Sequence, residues 1–134
     1  MGGSNVSVLL VDDNPGFLAV ATRFLRTLPG VIVAGTAHGG LDGLQRAGEL
    51  RPDVVLVDLH MRDLDGLKLI PQLRDLLPHT GIIALTLLDA NAFRPATLAA
   101  GAHEFVDKAT MSVDLPVALL KVRGIIGRHH QTGC

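Results

Sequence analysis

The chain has 134 residues, 48% of them apolar and 19% charged, with a net charge of −1. That is the size and composition of one globular domain with its own core, not of a disordered segment. The near-zero charge provides no basic field for nucleic acid, and the single cysteine, Cys134, excludes an internal disulfide.

Residues 1–5 carry neither a basic stretch nor a signal-length apolar block, and read as a disordered N-terminus of a cytoplasmic protein. Val6–Val11 is a dense β-branched and apolar run that ends in Asp12-Asp13. Asn14-Pro15 then starts a helix, since Asn can cap and Pro suits the first turn. Phe17, Leu18, Ala21, Phe24, Leu25 and Leu28 follow at helical spacing, and Pro29-Gly30 ends the run. Residues 31–34 form the second strand and residues 39–50 a weaker helix. Residues 54–57 form the third strand, ending at Asp58, and Asp65-Gly66 opens a third helix through about Leu77 with Pro71 inside it. Residues 81–85 form the fourth strand, ending at Thr86. The next helix is expected to start late, with Pro95 in its first turn and residues 89–94 as a loop, and to run to about Ala100. Residues 104–106 are a short fifth strand ending near Lys108, and the last helix spans 112 to about 128.

Five such βα units predict a doubly wound α/β domain over residues 6–128, a (βα)5 parallel sheet with helices on both faces, followed by a tail at 129–134. The apolar runs are short and saturated, as in buried strands, and none approaches the ~20 residues of a membrane span.

In doubly wound sheets ligands bind beyond the carboxyl ends of the strands. Asp12 and Asp13, Asp58, Thr86 and Lys108 stand at four of those ends. Three carboxylates meeting there would repel one another unless a hard cation joined them. Oxygen ligands without histidine or cysteine point to Mg²⁺ or Mn²⁺ rather than zinc. The lysine and the hydroxyl can then hold the oxygens of a phosphoryl group, and one carboxylate can serve as nucleophile. Each residue alone has a plainer explanation: the acidic pair as a helix cap, Lys108 as a solvated surface group, Phe105 as core.

Val8-Leu9-Leu10-Val11-Asp12-Asp13, Val57-Asp58-Leu59-His60-Met61, Leu64-Asp65-Gly66, Ala84-Leu85-Thr86 and the stretch from Gly101-Ala102 to Phe105-Val106-Asp107-Lys108 occur in this order along nearly the whole chain. Together they resemble the receiver domain of two-component response regulators. The resemblance implies a flavodoxin-like strand order 2-1-3-4-5. It implies Asp58 as phospho-acceptor, Asp13 as direct metal ligand, Asp12 as its partner through metal-bound water, and the His60 backbone carbonyl as a further ligand. Lys108 would pair with the phosphoryl oxygens, and Thr86 and Phe105 would form the switch. The implied partners are a sensor histidine kinase, a second copy on phosphorylation, and an output domain or protein not in this chain, with transcriptional regulation as the expected output. Direct nucleic-acid binding, membrane association and turnover as an enzyme are not expected.

Three positions depart from the family's pattern. Arg62 and Ala109 stand where proline is common, and Leu87 is larger than the usual residue after the switch hydroxyl. His60 and Leu88 flank the expected path of hydrolytic water. The alternatives are a phosphorylation-independent pseudo-receiver and an aspartyl-phosphate phosphatase. The intact acidic set argues against the first. His60, in place of a second acid two residues after Asp58, argues against the other.

Overall fold

Successive side chains of a strand point to opposite faces of a sheet, and here both faces of the sheet are filled with apolar groups. The computed structural model describes residues 5–87 and 90–132. Among them five strands, β1 (Val6–Val11), β2 (Val31–Ala37), β3 (Val54–Asp58), β4 (Gly81–Thr86) and β5 (Glu104–Asp107), alternate with five helices. These are α1 (Pro15–Leu25), α2 (Gly40–Leu50), α3 (Gly66–Leu76), α4 (Ala90–Ala100) and α5 (Met111–Thr132). All strand pairs are parallel, in the order β2-β1-β3-β4-β5, the doubly wound flavodoxin-like arrangement expected from the sequence.

On one face Val8, Leu10, Leu56 and Leu85 pack with Leu18 and Leu25 of α1 and with Leu115 and Leu119 of α5. On the other, Leu9, Val11, Val55 and Val57 pack with Ala47 of α2 and with Leu69, Ile70 and Leu73 of α3. This two-sided burial is why β3 and β4 read as unbroken apolar runs. Helix α2 approaches β1 closely enough that a Cβ on Gly43 would lie 2.5 Å from Val11 Cγ1, so the glycine that weakens the helix also permits its packing.

Several boundaries differ from the sequence reading. Strand β2 continues to Ala37, because a register irregularity between Val8 and Leu9 lets Leu9 pair with Gly35. Its last residues belong to a half-exposed edge strand and lack a continuous apolar signal. Helix α4 begins at Ala90, not near Pro95, which sits inside it. Phe93 packs against the core and the Thr97 hydroxyl donates to the Phe93 carbonyl at 2.7 Å, so the first turn has its own anchors. Pro95 is exposed and withholds a single backbone donor. Pro71 and Pro116 likewise lie within α3 and α5. Helix α5 runs to Thr132, beyond the expected end near 128, and between Gly127 and Gly133 the sequence holds no proline or glycine to stop it. Leu88, Cys134 and residues 1–4 lie outside the described residues. Among the described residues no helix is long and apolar enough to cross a membrane.

Candidate functional site

The parallel sheet brings the strand ends to one rim. Asp12 and Asp13 follow β1, Asp58 ends β3, Thr86 ends β4, and Lys108 opens a 3₁₀ turn (Lys108–Thr110) directly after β5. One carboxylate oxygen from each of Asp12, Asp13 and Asp58 lies within 4.8 Å of the others. Lys108 Nζ donates to Asp12 Oδ2 at 2.6 Å and is 3.2 Å from Asp58 Oδ1. Asp12, Asp58 and Thr86 are buried, Asp13 is half-buried, and the Lys108 side chain is only 8% exposed.

Local hydrogen bonds fix the carboxylates. Asp12 Oδ1 accepts from the Asn14 amide at 2.8 Å, and Asn14 in turn caps α1 by accepting from the Phe17 amide at 3.1 Å. Asp13 Oδ2 accepts from the Arg62 amide at 3.0 Å. Proline, common at this position in the family that the motifs resemble, has no N–H to give. The same holds for Ala109, whose amide donates to Asp107 Oδ1 at 2.8 Å and closes the turn that carries Lys108.

Burial holds the Asp58 carboxyl above the ordinary aspartate range, and the neighbouring Asp12 carboxylate adds to the rise. The Lys108 ammonium and the His60 amide, which donates to Asp58, oppose it. Three carboxylates against one ammonium leave a negative, oxygen-only pocket. That donor set fits a hard divalent cation such as Mg²⁺, with Asp12, Asp13 and Asp58 as the residues to hold it.

Thr86 follows Leu85, the register partner of Asp58, and is fully buried. Phe105 is buried in the second core cluster, with the Arg94 guanidinium of α4 5.3 Å from its ring centroid. Leu87 is 68% exposed and borders the groove that Asn91, Arg94 and Phe105 line. His60 is exposed, its ring edge-on to Phe93 of α4 with centroids 5.1 Å apart.

Four features escape a reading of the sequence. The Phe17 ring lies 4.1 Å from Lys108 Nζ, although its helical spacing marks it only as a core residue. Asp63 accepts from the amides of Gly40 and Leu41 at 2.9 and 3.0 Å, capping α2 from a distant loop. The Phe93 contact of His60 was hidden by the loop expected at 89–94. His103 and Arg74 are joined to each other and, through Ile82, to the core. His103 Nδ1 accepts from the Ile82 amide at 3.0 Å, and its Nε2 is 3.1 Å from Arg74 Nη1. Burial and Arg74 lower the imidazole's pKa.

Comparison with known proteins identifies the family and the fold. Residues 8–120 match the response regulator receiver domain family. Response regulator protein VraR of Staphylococcus saprophyticus is 31% identical over 87% of this chain and 56% of its own length. Response regulator GacA of Pseudomonas viridiflava is 32% identical over 85% of this chain and 53% of its own length. The chain thus spans little more than half the length of these curated relatives. The isolated receiver domain of RcsB from Salmonella enterica serovar Typhimurium, solved in the presence of phosphomimetic BeF₃⁻, is 26% identical with a TM-score of 0.82, covering 93% of this chain and 98% of that one. A five-stranded parallel sheet in the order 2-1-3-4-5, with an acidic cluster and a lysine at its carboxyl rim and a family match over most of its length, makes this chain a member of the response regulator receiver domain family.

Proposed function

We propose that the chain is a signalling switch in which Asp58 accepts a phosphoryl group from the phosphohistidine of a sensor histidine kinase, in a Mg²⁺-dependent reaction. The observation that carries this reading is the meeting of Asp12, Asp13 and Asp58 within 4.8 Å, with Lys108 Nζ between Asp12 and Asp58.

An Asp58 carboxylate oxygen attacks phosphorus as the bond from phosphorus to the donor nitrogen breaks, and the bonding pair stays with the imidazole. Charge spreads over the equatorial phosphoryl oxygens, and Lys108 turns from Asp58 to one of them. Asp13 and the His60 backbone carbonyl would hold the cation directly, and Asp12 would reach it through bound water. Bound there, Mg²⁺ (or Mn²⁺) supplies positive charge that screens both the carboxylates and the incoming phosphoryl group. The Thr86 hydroxyl then turns to the phosphoryl oxygens. Phe105 and Arg94 rearrange with it, shifting the population of the α4–β5–α5 surface.

Receivers of this family are signalling domains rather than turnover enzymes, and hydrolysis of the aspartyl phosphate resets the switch. The greater length of VraR and GacA supports an output domain as the target, and a Pseudomonas aeruginosa relative, 34% identical over 94% of this chain and named a putative transcriptional regulator, supports transcriptional regulation as the output. A second copy is the proposed partner of the phosphorylated form. The expected setting is cytoplasmic. Incubation with acetyl phosphate and Mg²⁺ followed by intact mass tests the reading. One phosphoryl adduct is expected, absent in Asp58→Ala and in EDTA. No adduct from small donors or from a set of kinases would favour a phosphorylation-independent pseudo-receiver.

A further inference from the structure

We infer that Phe17 is a positioning residue for Lys108, holding the ammonium at the acceptor carboxylate through the face of its ring. The inference rests on the phosphotransfer reading above and deepens it.

A lysine ammonium is a compact charge on a flexible four-carbon stem, and nothing in the stem itself fixes where it points. Lys108 Nζ is held on two sides by Asp12 and Asp58. The Phe17 ring closes a third, with its centroid 4.1 Å from Nζ, inside the ~6 Å range of a cation–π contact. The ring is itself held. The Phe17 amide donates to Asn14 Oδ1, the Asn14 amide donates to Asp12 Oδ1, and Lys108 donates to Asp12 Oδ2. The four residues therefore form a closed circuit in which the helix cap that starts α1 also sets the ring against the lysine. Behind the ring, Phe17 packs on the core cluster shared by α1 and α5, so it cannot easily turn away.

When Asp58 takes a phosphoryl group, Lys108 must leave Asp58 Oδ1 and follow the new oxygens. Asp12 alone would tether it at one point. The aromatic face keeps water from that side of the ammonium and leaves it free to pivot along the face, so its charge stays directed at the transferring group. An aliphatic side chain of similar bulk would fill the same space without attracting the charge.

The test compares Phe17→Leu, Phe17→Tyr and Phe17→Trp, with pentafluorophenylalanine at position 17 as a variant that keeps the ring's shape but inverts the charge of its face. Each is labelled with phosphoramidate in Mg²⁺, and the rate of adduct formation is read by intact mass alongside a thermal unfolding curve. Leu and the fluorinated ring are expected to slow labelling by roughly five- to thirtyfold, the rate equivalent of a desolvated cation–π contact, with Tyr and Trp within about twofold of wild type. A folded Leu or fluorinated variant that labels at the wild-type rate would overturn the inference. Equal slowing by all four replacements would also overturn it, since packing and not the ring face would then be at work. If the wild-type chain takes no phosphoryl group, the phosphotransfer reading fails and this inference fails with it. If the wild type labels and the Leu and fluorinated variants match it, Phe17 alone is refuted.

Discussion

Lys108 Nζ lies 2.6 Å from Asp12 Oδ2, closer than its 3.2 Å to Asp58 Oδ1. The tighter partner is the carboxylate expected to act through water, and the looser one is the proposed acceptor. Asp58 is therefore the less fully neutralised of the two, in a site that already pushes its carboxyl toward protonation. Replacing the ammonium should expose that conflict. Lys108→Met leaves two buried carboxylates facing each other and is expected to lose up to about 3–5 kcal/mol in EDTA, the usual cost of stripping one partner from a buried pair. Adding Asp58→Asn should recover part of that loss, and denaturant unfolding of the four proteins gives the coupling. Strict additivity would show that the three groups do not share their charge.

Gly66 presses against the acceptor's own backbone. A Cβ there would lie 2.5 Å from the Asp58 carbonyl oxygen and 2.8 Å from Leu59 Cα, neither of which can swing aside. Gly66→Ala is expected to destabilise the fold by at least roughly 1–3 kcal/mol in urea. Gly48→Ala is the contrast, because its Cβ would meet only Leu76 Cδ2 at 3.6 Å. That change should stabilise by about 0.4–1 kcal/mol through helix propensity and unfolded-state entropy.

Asp63 provides the side-chain cap that Gly39, the residue at the N-cap of α2, lacks. Asp63→Ala is expected to cost about 0.5–2 kcal/mol near neutral pH. Hydrogen bonds from Leu41 and Gly40 hold the Asp63 carboxyl below its ordinary value of 3.8. A depressed acid stabilises the folded chain above its unfolded pKa and loses that effect as pH falls through the folded pKa. The gap between wild type and variant should therefore be flat from pH 7 to about 4 and close below it. A gap that closes near pH 6 instead would assign the effect to another group.

His103 gives the complementary titration. Its imidazole pKa is lowered from 6.5 in the folded chain, where Nδ1 accepts from Ile82 and Arg74 stands beside Nε2. The unfolded chain thus takes up a proton near pH 6.5 that the folded chain refuses, and stability should fall as pH drops below that value. His103→Asn keeps an acceptor for the Ile82 amide without the titration. Its unfolding midpoint should vary less between pH 7 and 5 than that of the wild type, and an unchanged slope would contradict the assignment.

The rim of the sheet was legible because a parallel sheet leaves little choice. Each βα unit delivers its strand end to the same edge, so Asp12, Asp13, Asp58, Thr86 and Lys108 could be placed together from their positions alone. What fills the space around them could not. Phe17 has the spacing of a core residue, and periodicity says which way a side chain faces without saying that a lysine waits there. Asp63 caps a helix from 23 residues away, whereas cap signals are read within a few positions. Pro95 suggested a late helix start because its missing donor is a local rule, and the anchors that override it, Phe93 and Thr97, act through burial.

The central claim is that Asp58, and no other carboxylate of the cluster, carries the phosphoryl group. Acyl phosphates are reduced by borohydride to the alcohol, which for an aspartate leaves homoserine. Labelling with phosphoramidate and Mg²⁺, borohydride reduction and peptide mapping should place homoserine at position 58. Homoserine at position 12 or 13, or at no position, would contradict the account.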